Sequence, residues 1–576
     1  NTAQGKTGTA GGNTIVTGAL AVGVSSGNAA GVAIGIDDIS NNFSATITDS
    51  IISDGMVETN ANNDTLVVDL VAGASGTSKR TGSYTGAGSF SVNNLAGTTL
   101  AQVENSNLHT NQLTMEATNN PTSVNIVGQV AVGSVGAGLG FGWTDQNNST
   151  KTRLLGSAVN PFSGSGSIDI SLDATNTTGI YSVGVGVAAS TDKGAGDGIL
   201  TLNTGTSTVE AVTDHTVNAF GKEISRTNLT GVKNLNVTAN DKTIQTAVAG
   251  GVTAGKGIAV GGAIAYNSIG GSSNSTSNAL QKVTAALNNT TVRTITDAAV
   301  EVKATEAENV TSVAAGIAAT DNTAVQGASA VSLINRAMLA ELNNVQITPV
   351  TTGLTGATVT VSSDNTKEKI SNAAAVVAAS QDKGIGMGIA VNRIIEDNKA
   401  DIVNNSVLNV KSALVSSLTN PHILNIGIGI GSGNTAGIGG SFGVNLITDN
   451  NAVSITDSAL TASGNVGSVA QSDEVIHNYA GSIGGANAGG AGVSVTVNSI
   501  DGATAATVED STIAAAGTEA DAITVHSNVN DTDLDNGIVS KSTWGVGIDL
   551  KDQRTSKTIK GLVVDASSSH SISSDL

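Results

Sequence analysis

The chain has 576 residues, a net charge of −20, no cysteine, 71 glycines, and only 2% aromatic and 12% charged residues. Scarce large side chains exclude a broad spherical core. Absent cysteine excludes disulfides and thiolate metal sites. An acidic chain whose sole adjacent basic pair is Lys79-Arg80 repels nucleic-acid phosphates, so no nucleic-acid partner is expected.

The chain opens at Asn1 without a leader pattern, and is read as a processed product or a segment of something longer. Two alternating stretches follow, Leu20-Ala21-Val22-Gly23-Val24 and Val32-Ala33-Ile34-Gly35-Ile36, separated by the turn signal Ser26-Gly27-Asn28. Alternation of period two predicts strands, with large residues on one face and small ones on the other. A closing phrase, Ala-x-Val/Ile-x-x-Ser/Asn-x-Val/Ile/Leu, ends the unit at Ala45, Ile47, Ser50 and Ile52. It returns at Ala101, Val103, Ser106 and Leu108, and again at Ala285, Leu287, Thr290 and Val292. Looser or later copies stand at Ala340–Ile347, Ala400–Val407, Val453–Leu460 and Ala506–Ile513. About ten repeats of about 55 residues are therefore expected, forming one continuous array over residues 1–576.

Gly/Ser/Thr-rich stretches near 73–88 and 163–166, and a wider spacing over 213–242, are expected to loop out. Pro121, Pro161, Pro349 and Pro421 fall near predicted corners or insertions, where no ladder donor is needed. Residues 332–342 admit a helix but are read as a strand. Further turns are expected at Asp192-Lys193-Gly194, Gly255-Lys256-Gly257, Asp382-Lys383-Gly384 and Gly433-Asn434. The Asn of Asn267-Ser268-Ile269, Asn392-Arg393-Ile394 and Asn498-Ser499-Ile500 is expected to stack on its counterparts through amide hydrogen bonds. No apolar run reaches membrane-helix length, so no membrane-spanning segment is expected.

The fold class read from these elements is all-β. Local hairpins of a β-roll are one closure, and a continuous β-solenoid is the favoured one. Each repeat would hold two or three coils of roughly 18–28 residues, so some 20–30 coils would form an elongated rod on the order of 100–150 Å. Val, Ile, Leu and Ala would lie inside, with Ser, Thr, Asn and Asp outside.

No catalytic constellation emerges, and no cofactor is implied. The six histidines are scattered without metal-ligand spacing and are read as surface residues. Gly164-Ser165-Gly166-Ser167 is a loop rather than a nucleophile turn, and the glycines of 136–142 precede no phosphate-binding Lys. Asp531, Asp533 and Asp535 alternate like calcium ligands, but the glycine falls one place late and no closing Glu follows; a solvated acidic turn is the favoured reading. Trp143, Trp544, Tyr181 and Tyr266 would stack on glycans or, as the favoured reading, pack. In Ile426-Gly427-Ile428-Gly429-Ile430-Gly431 one face has no side chains. It would line a second sheet within the rod, the favoured role, or mediate lateral association; Gly427, Gly429 and Gly431 are the candidate association face.

The recurring phrase reads Gly437-Ile438-Gly439-Gly440-Ser441-Phe442-Gly443-Val444-Asn445-Leu446-Ile447, then Gly492-Val493-Ser494-Val495-Thr496-Val497-Asn498-Ser499-Ile500. Across most of the chain this resembles the leukotoxin-like filamentous adhesins, relatives of filamentous haemagglutinin among the large exoproteins of Gram-negative bacteria. The resemblance implies a right-handed β-helix, secreted through an outer-membrane β-barrel export partner and displayed or shed at the cell surface. The amino-terminal secretion domain of that family, with its Asn-Pro signature, is not found, so this chain would be a shaft segment. The expected function is structural or adhesive, with host or bacterial cell-surface receptors or glycans as partners and self-association or filament formation open. A secreted leukotoxin-like toxin is the alternative, and a polysaccharide-active β-helix enzyme a weaker one.

Overall fold

The computed structural model describes residues 12–78, 81–162, 166–217, 223–271, 280–351, 356–365, 367–517, 523–526, 556–559 and 561–575. Long strands pair in parallel with the strands of the next repeat, and no helix occurs among the described residues. This is a β-solenoid. Its coils differ from the sequence expectation in size. Tyr84 stacks on Val135, 51 residues on, and Asn234 on Ala299, 65 residues on. One repeat is therefore one coil, not two or three. The common ladders are nine coils deep, so they extend about 40 Å along the stack at a spacing of about 4.8 Å, not 100–150 Å.

The coil that begins at Lys369 shows the path. A first strand, Lys369–Ser380, runs to a tip turn at 381–382. The second, Lys383–Val403, returns antiparallel to it across the coil and continues to a corner. Two short strands, Val407–Val410 and Ser412–Thr419, close the circuit before Asn420-Pro421 leads into the next coil. The corner needs a left-handed backbone. Asn and Asp supply it coil after coil, at Asp49, Asn105, Asn289, Asn344, Asn404, Asp457 and Asp510, with φ between 47° and 56°. The Ser of the closing phrase then locks the corner. The Ser106 hydroxyl accepts the Ser50 N–H at 3.1 Å, the Ser157 hydroxyl the Ser106 N–H at 3.0 Å, and the Ser511 hydroxyl the Ser458 N–H at 3.1 Å.

Inward-facing residues form layers across the coil. Around the corner, the closing phrases fill the main apolar core: Ala400, Ile402, Leu408 and Val415 are buried with most of their counterparts in the inner coils, while Ile47, Ile52, Ala506, Val508 and Ile513 of the end coils are partly buried. Next comes a polar and acidic layer around Glu396 and Asn398. A second apolar layer follows, where Ile334, Ile394 and Ile447 meet Ile370, Ile423 and Ile476 from the opposite sheet. Then lies an asparagine layer. The Nδ2 of Asn392 donates to Asn445 at 2.7 Å, and that of Asn445 to Asn498 at 2.8 Å. The expected stacking of the Asn-x-Ile motif is therefore present. Residues 332–342 lie in the strand Thr323–Asn343.

Toward the tip the two sheets close into a thin slab of Gly and Ala. A Cβ on Gly429 would lie 1.9 Å from the carbonyl oxygen of Gly440, and one on Gly431 would lie 2.0 Å from that of Ile438. Facing sheets ordinarily stand about 10 Å apart; here their backbones touch. The large members of the alternating pattern consequently point outward: Val22 is 62%, Ile483 60% and Ile438 42% exposed. The expectation of Val and Ile inside holds for the closing phrases and largely fails in the slab, because the gap between its sheets takes mostly Gly and Ala.

The expected insertions are narrower than 73–88 and 213–242. Residues 73–77 and 84–88 belong to the strands Met56–Thr77 and Tyr84–Glu104, with a tip turn between them. Residues 227–242 belong to the strand Thr227–Gly255, while Thr216–Val217 and Glu223–Ser225 pair separately as an antiparallel hairpin. Residues 163–165 lie outside the described residues.

Candidate interaction faces and a buried acidic layer

The slab has two outer faces. On one, parallel register stacks Ile34, Phe90, Phe141, Leu200, Ile264, Ser329, Ile389, Phe442 and Val495 in a single column. Three parallel columns flank it, starting at Ala30, Val32 and Ile36 and ending at Ala491, Val493 and Val497. No position in these four columns is charged. The Val32 column is low at Gly88, Gly198, Gly262, Gly327 and Gly440, continuously so only over Gly198, Gly262 and Gly327, and it rises at Val32, Leu139, Met387 and Val493. Beside that furrow rise Phe90 and Phe141, stacked with ring centroids 4.7 Å apart. The opposite face carries smaller residues, for example the column Val22, Ala74, Val130, Val187, Val252, Ile317, Val377, Ile430 and Ile483.

The candidate association face falls elsewhere. Gly427, Gly429 and Gly431 are buried between the sheets, where they let the backbones meet. Trp143, by contrast, is on the aromatic face, 38% exposed, with its Nε1 donating to Thr204 at 3.1 Å. Tyr266 shares its column, and Tyr181 is on the opposite face. Asp531, Asp533, Asp535 and Trp544 lie outside the described residues.

A buried acidic layer was not foreseen. Arg336, Glu306, Glu308, Glu368 and Glu396 are almost wholly buried. Arg336 Nη1 lies 3.0 Å from Glu306 and 3.8 Å from Glu308; Nη2 lies 2.6 Å from Glu368 and also meets Glu396. Gln281 Nε2 donates to Asp241 at 2.9 Å, to Glu306 at 2.9 Å and to Glu308 at 2.8 Å. One guanidinium cannot balance four carboxylates in a desolvated layer. Burial pushes Glu368 and Asp241 each up to about 7, and Glu308 and Glu396 well above the usual carboxylate range. The layer continues to Asp449 and Glu474, both bonded to the Ser472 hydroxyl. Arg336 already occupies the centre where a cation would sit. Among the described residues no group of three or more His, Asp or Glu could hold a metal ion.

The histidines are not all surface residues. His422 and His477 are partly buried neighbours, and desolvation, then His477 and Lys369, push His422 down to about 3. His570 instead lies on the exterior, 2.6 Å from buried Glu474. In a solenoid, sequence-distant positions of equal register meet, and that is the signal that would have revealed the layer.

No family model, curated protein or solved structure matches the chain. Its class is accordingly given by geometry alone: a large-coil parallel β-solenoid whose slab carries an uncharged outer face and whose interior alternates apolar and polar layers.

Proposed function

We propose that the chain is a structural and adhesive shaft segment of a secreted, surface-displayed bacterial exoprotein that attaches cells to one another or to a host. One observation carries this reading most: the outward positions of the slab fall in register from coil to coil and none is charged, giving an uncharged face nine coils deep. A repeated rigid surface multiplies weak contacts, so that modest affinity per coil sums to firm attachment. The layered ladders resist bending without large aromatic packing, which suits a spacer. The resemblance to filamentous adhesins points the same way and supplies the expected export partner and location.

The test is direct. The full chain, coated on beads, is applied to host cells, bacterial cells and a glycan panel. Saturable retention that survives washing supports the adhesive role. Lysis of leukocytes by the soluble chain, without retention, would replace it with the toxin reading.

A further inference from the structure

We infer that the aromatic outer face of the slab is a docking surface for a second copy of this chain, joined by a two-fold axis between its glycine furrow and its phenylalanine ridge. The chain has six phenylalanines, and three of them, Phe90, Phe141 and Phe442, lie in one outward column. A chain so poor in large side chains places them outside, where a monomer gains least from them.

Area supports a protein-sized partner. Nine coils at about 4.8 Å by four outward columns at about 6.6 Å cover roughly 1,100 Å². A stable interface takes about 800 Å² from each side. The surface is flat, uncharged and periodic, so the matching object must be equally flat and have the same 4.8 Å repeat. A second copy has both properties. The relief is self-complementary at five of the nine coils. A two-fold axis running along the stack between the two columns keeps coil levels matched, so Phe90, Leu200, Ile264, Ser329 and Phe442 fall over the partner's Gly88, Gly198, Gly262, Gly327 and Gly440, while Phe141 and Ile389 meet its Leu139 and Met387 as apolar contacts, in a closed isologous arrangement. The open space above Gly262 and Gly327, where nothing stands within 4 Å of an added Cβ, is room for the partner's side chains. With a net charge of −20 per copy, long-range repulsion opposes pairing, while the face itself brings no charges together. Association should therefore tighten as salt rises. The inference is independent of what the shaft binds.

The experiment is sedimentation equilibrium of the full chain at low and high salt, with Gly262→Glu, Ser329→Glu and Gly128→Glu variants. Gly262 has no neighbour to displace, and Ser329 already points outward, so neither change disturbs the chain's own packing. Gly128 is equally open but lies on the opposite face. The expected result is a salt-strengthened dimer, unaltered in Gly128→Glu. In Gly262→Glu and Ser329→Glu it weakens roughly a hundredfold or more, since a charge is buried twice across the axis. A wild type that stays monomeric at tens of micromolar overturns the inference. So does equal weakening by Gly128→Glu, or an oligomer that both aromatic-face variants leave intact. If the monomer instead floats with phosphatidylcholine vesicles, the face takes lipid, and the inference also fails.

Discussion

Two glycines of the same alternating pattern should respond oppositely to one added methyl group. In Gly429→Ala the new Cβ would meet the Gly440 carbonyl oxygen at 1.9 Å, its carbon at 2.7 Å and the Gly386 oxygen at 2.9 Å. All three are backbone atoms of strands locked into ladders, so no rotamer change relieves the clash. The sheets must part by at least about 1 Å, and overpacking of this kind costs about 1–3 kcal/mol, with an immovable obstacle favouring the upper end. In Gly262→Ala the Cβ meets nothing within 4 Å. There, reduced freedom of the unfolded chain should stabilise by about 0.4–1 kcal/mol. The difference of about 3 kcal/mol is read from urea unfolding followed by circular dichroism. Amide exchange over 426–433 should accelerate only in Gly429→Ala. Equal midpoints, or a lower midpoint for Gly262→Ala, would refute the inward orientation of the Gly427–Gly431 face.

Arg336→Met should destabilise by about 3–5 kcal/mol at pH 7.5, because it strips four buried glutamates of their cation. The loss should shrink at pH 5, because burial raises Glu308, Glu368 and Glu396 so that they retain protons there. In the wild type, Glu368 and Asp241 rise from 4.5 and 3.8 to about 7, so the folded state retains protons that the unfolded chain releases. Their stabilising contribution is full below about pH 4 and is lost as pH rises towards about 7; Glu368→Gln should flatten that fall in the urea midpoint. His422 has the opposite sign: held down to about 3, it makes stability rise with pH between about 3 and 6.5, and His422→Asn should remove that rise. Asn445→Leu leaves Asn392 without its acceptor and Asn498 with Asn478 alone as donor, and thermal unfolding should report a loss of about 1–3 kcal/mol.

Strand formation, the all-β class and the repeat were legible because β-branched alternation has one local meaning. The closing phrase was legible too: Ala400 and Ile402 follow the ordinary rule that apolar residues face the core. Coil size was not. Turn signals at the tip and at the corner divide each repeat, and nothing local says whether a chain turning there has completed a circuit; only the pairing of Lys369 with His422 does. Nor was the direction of Ile426–Gly431 settled, since a period of two separates the faces without saying which is inside. Glycine was inward because two facing glycine surfaces can bring backbones into contact, which no other residue permits. Arg336 and its glutamates were invisible for a different reason. None is a remarkable charge in its own segment, and the layer exists only after four segments are laid in register.

The asparagine ladders also give the molecule a direction. Asn63 donates to Asn119, and Asn119 to Asn176; Asn392 donates to Asn445, and Asn445 to Asn498. Each of these amides hands its N–H to the later coil, as do the corner N–H groups of Ser50, Ser106 and Ser458. The outer amides of Asn94, Asn344, Asn404 and Asn487 run the other way, each donating to the earlier coil. Strand edges at either end of the stack present both N–H and C=O groups. The buried asparagine columns are therefore polar along the axis, and they, rather than the strand edges, would favour one sense of axial continuation.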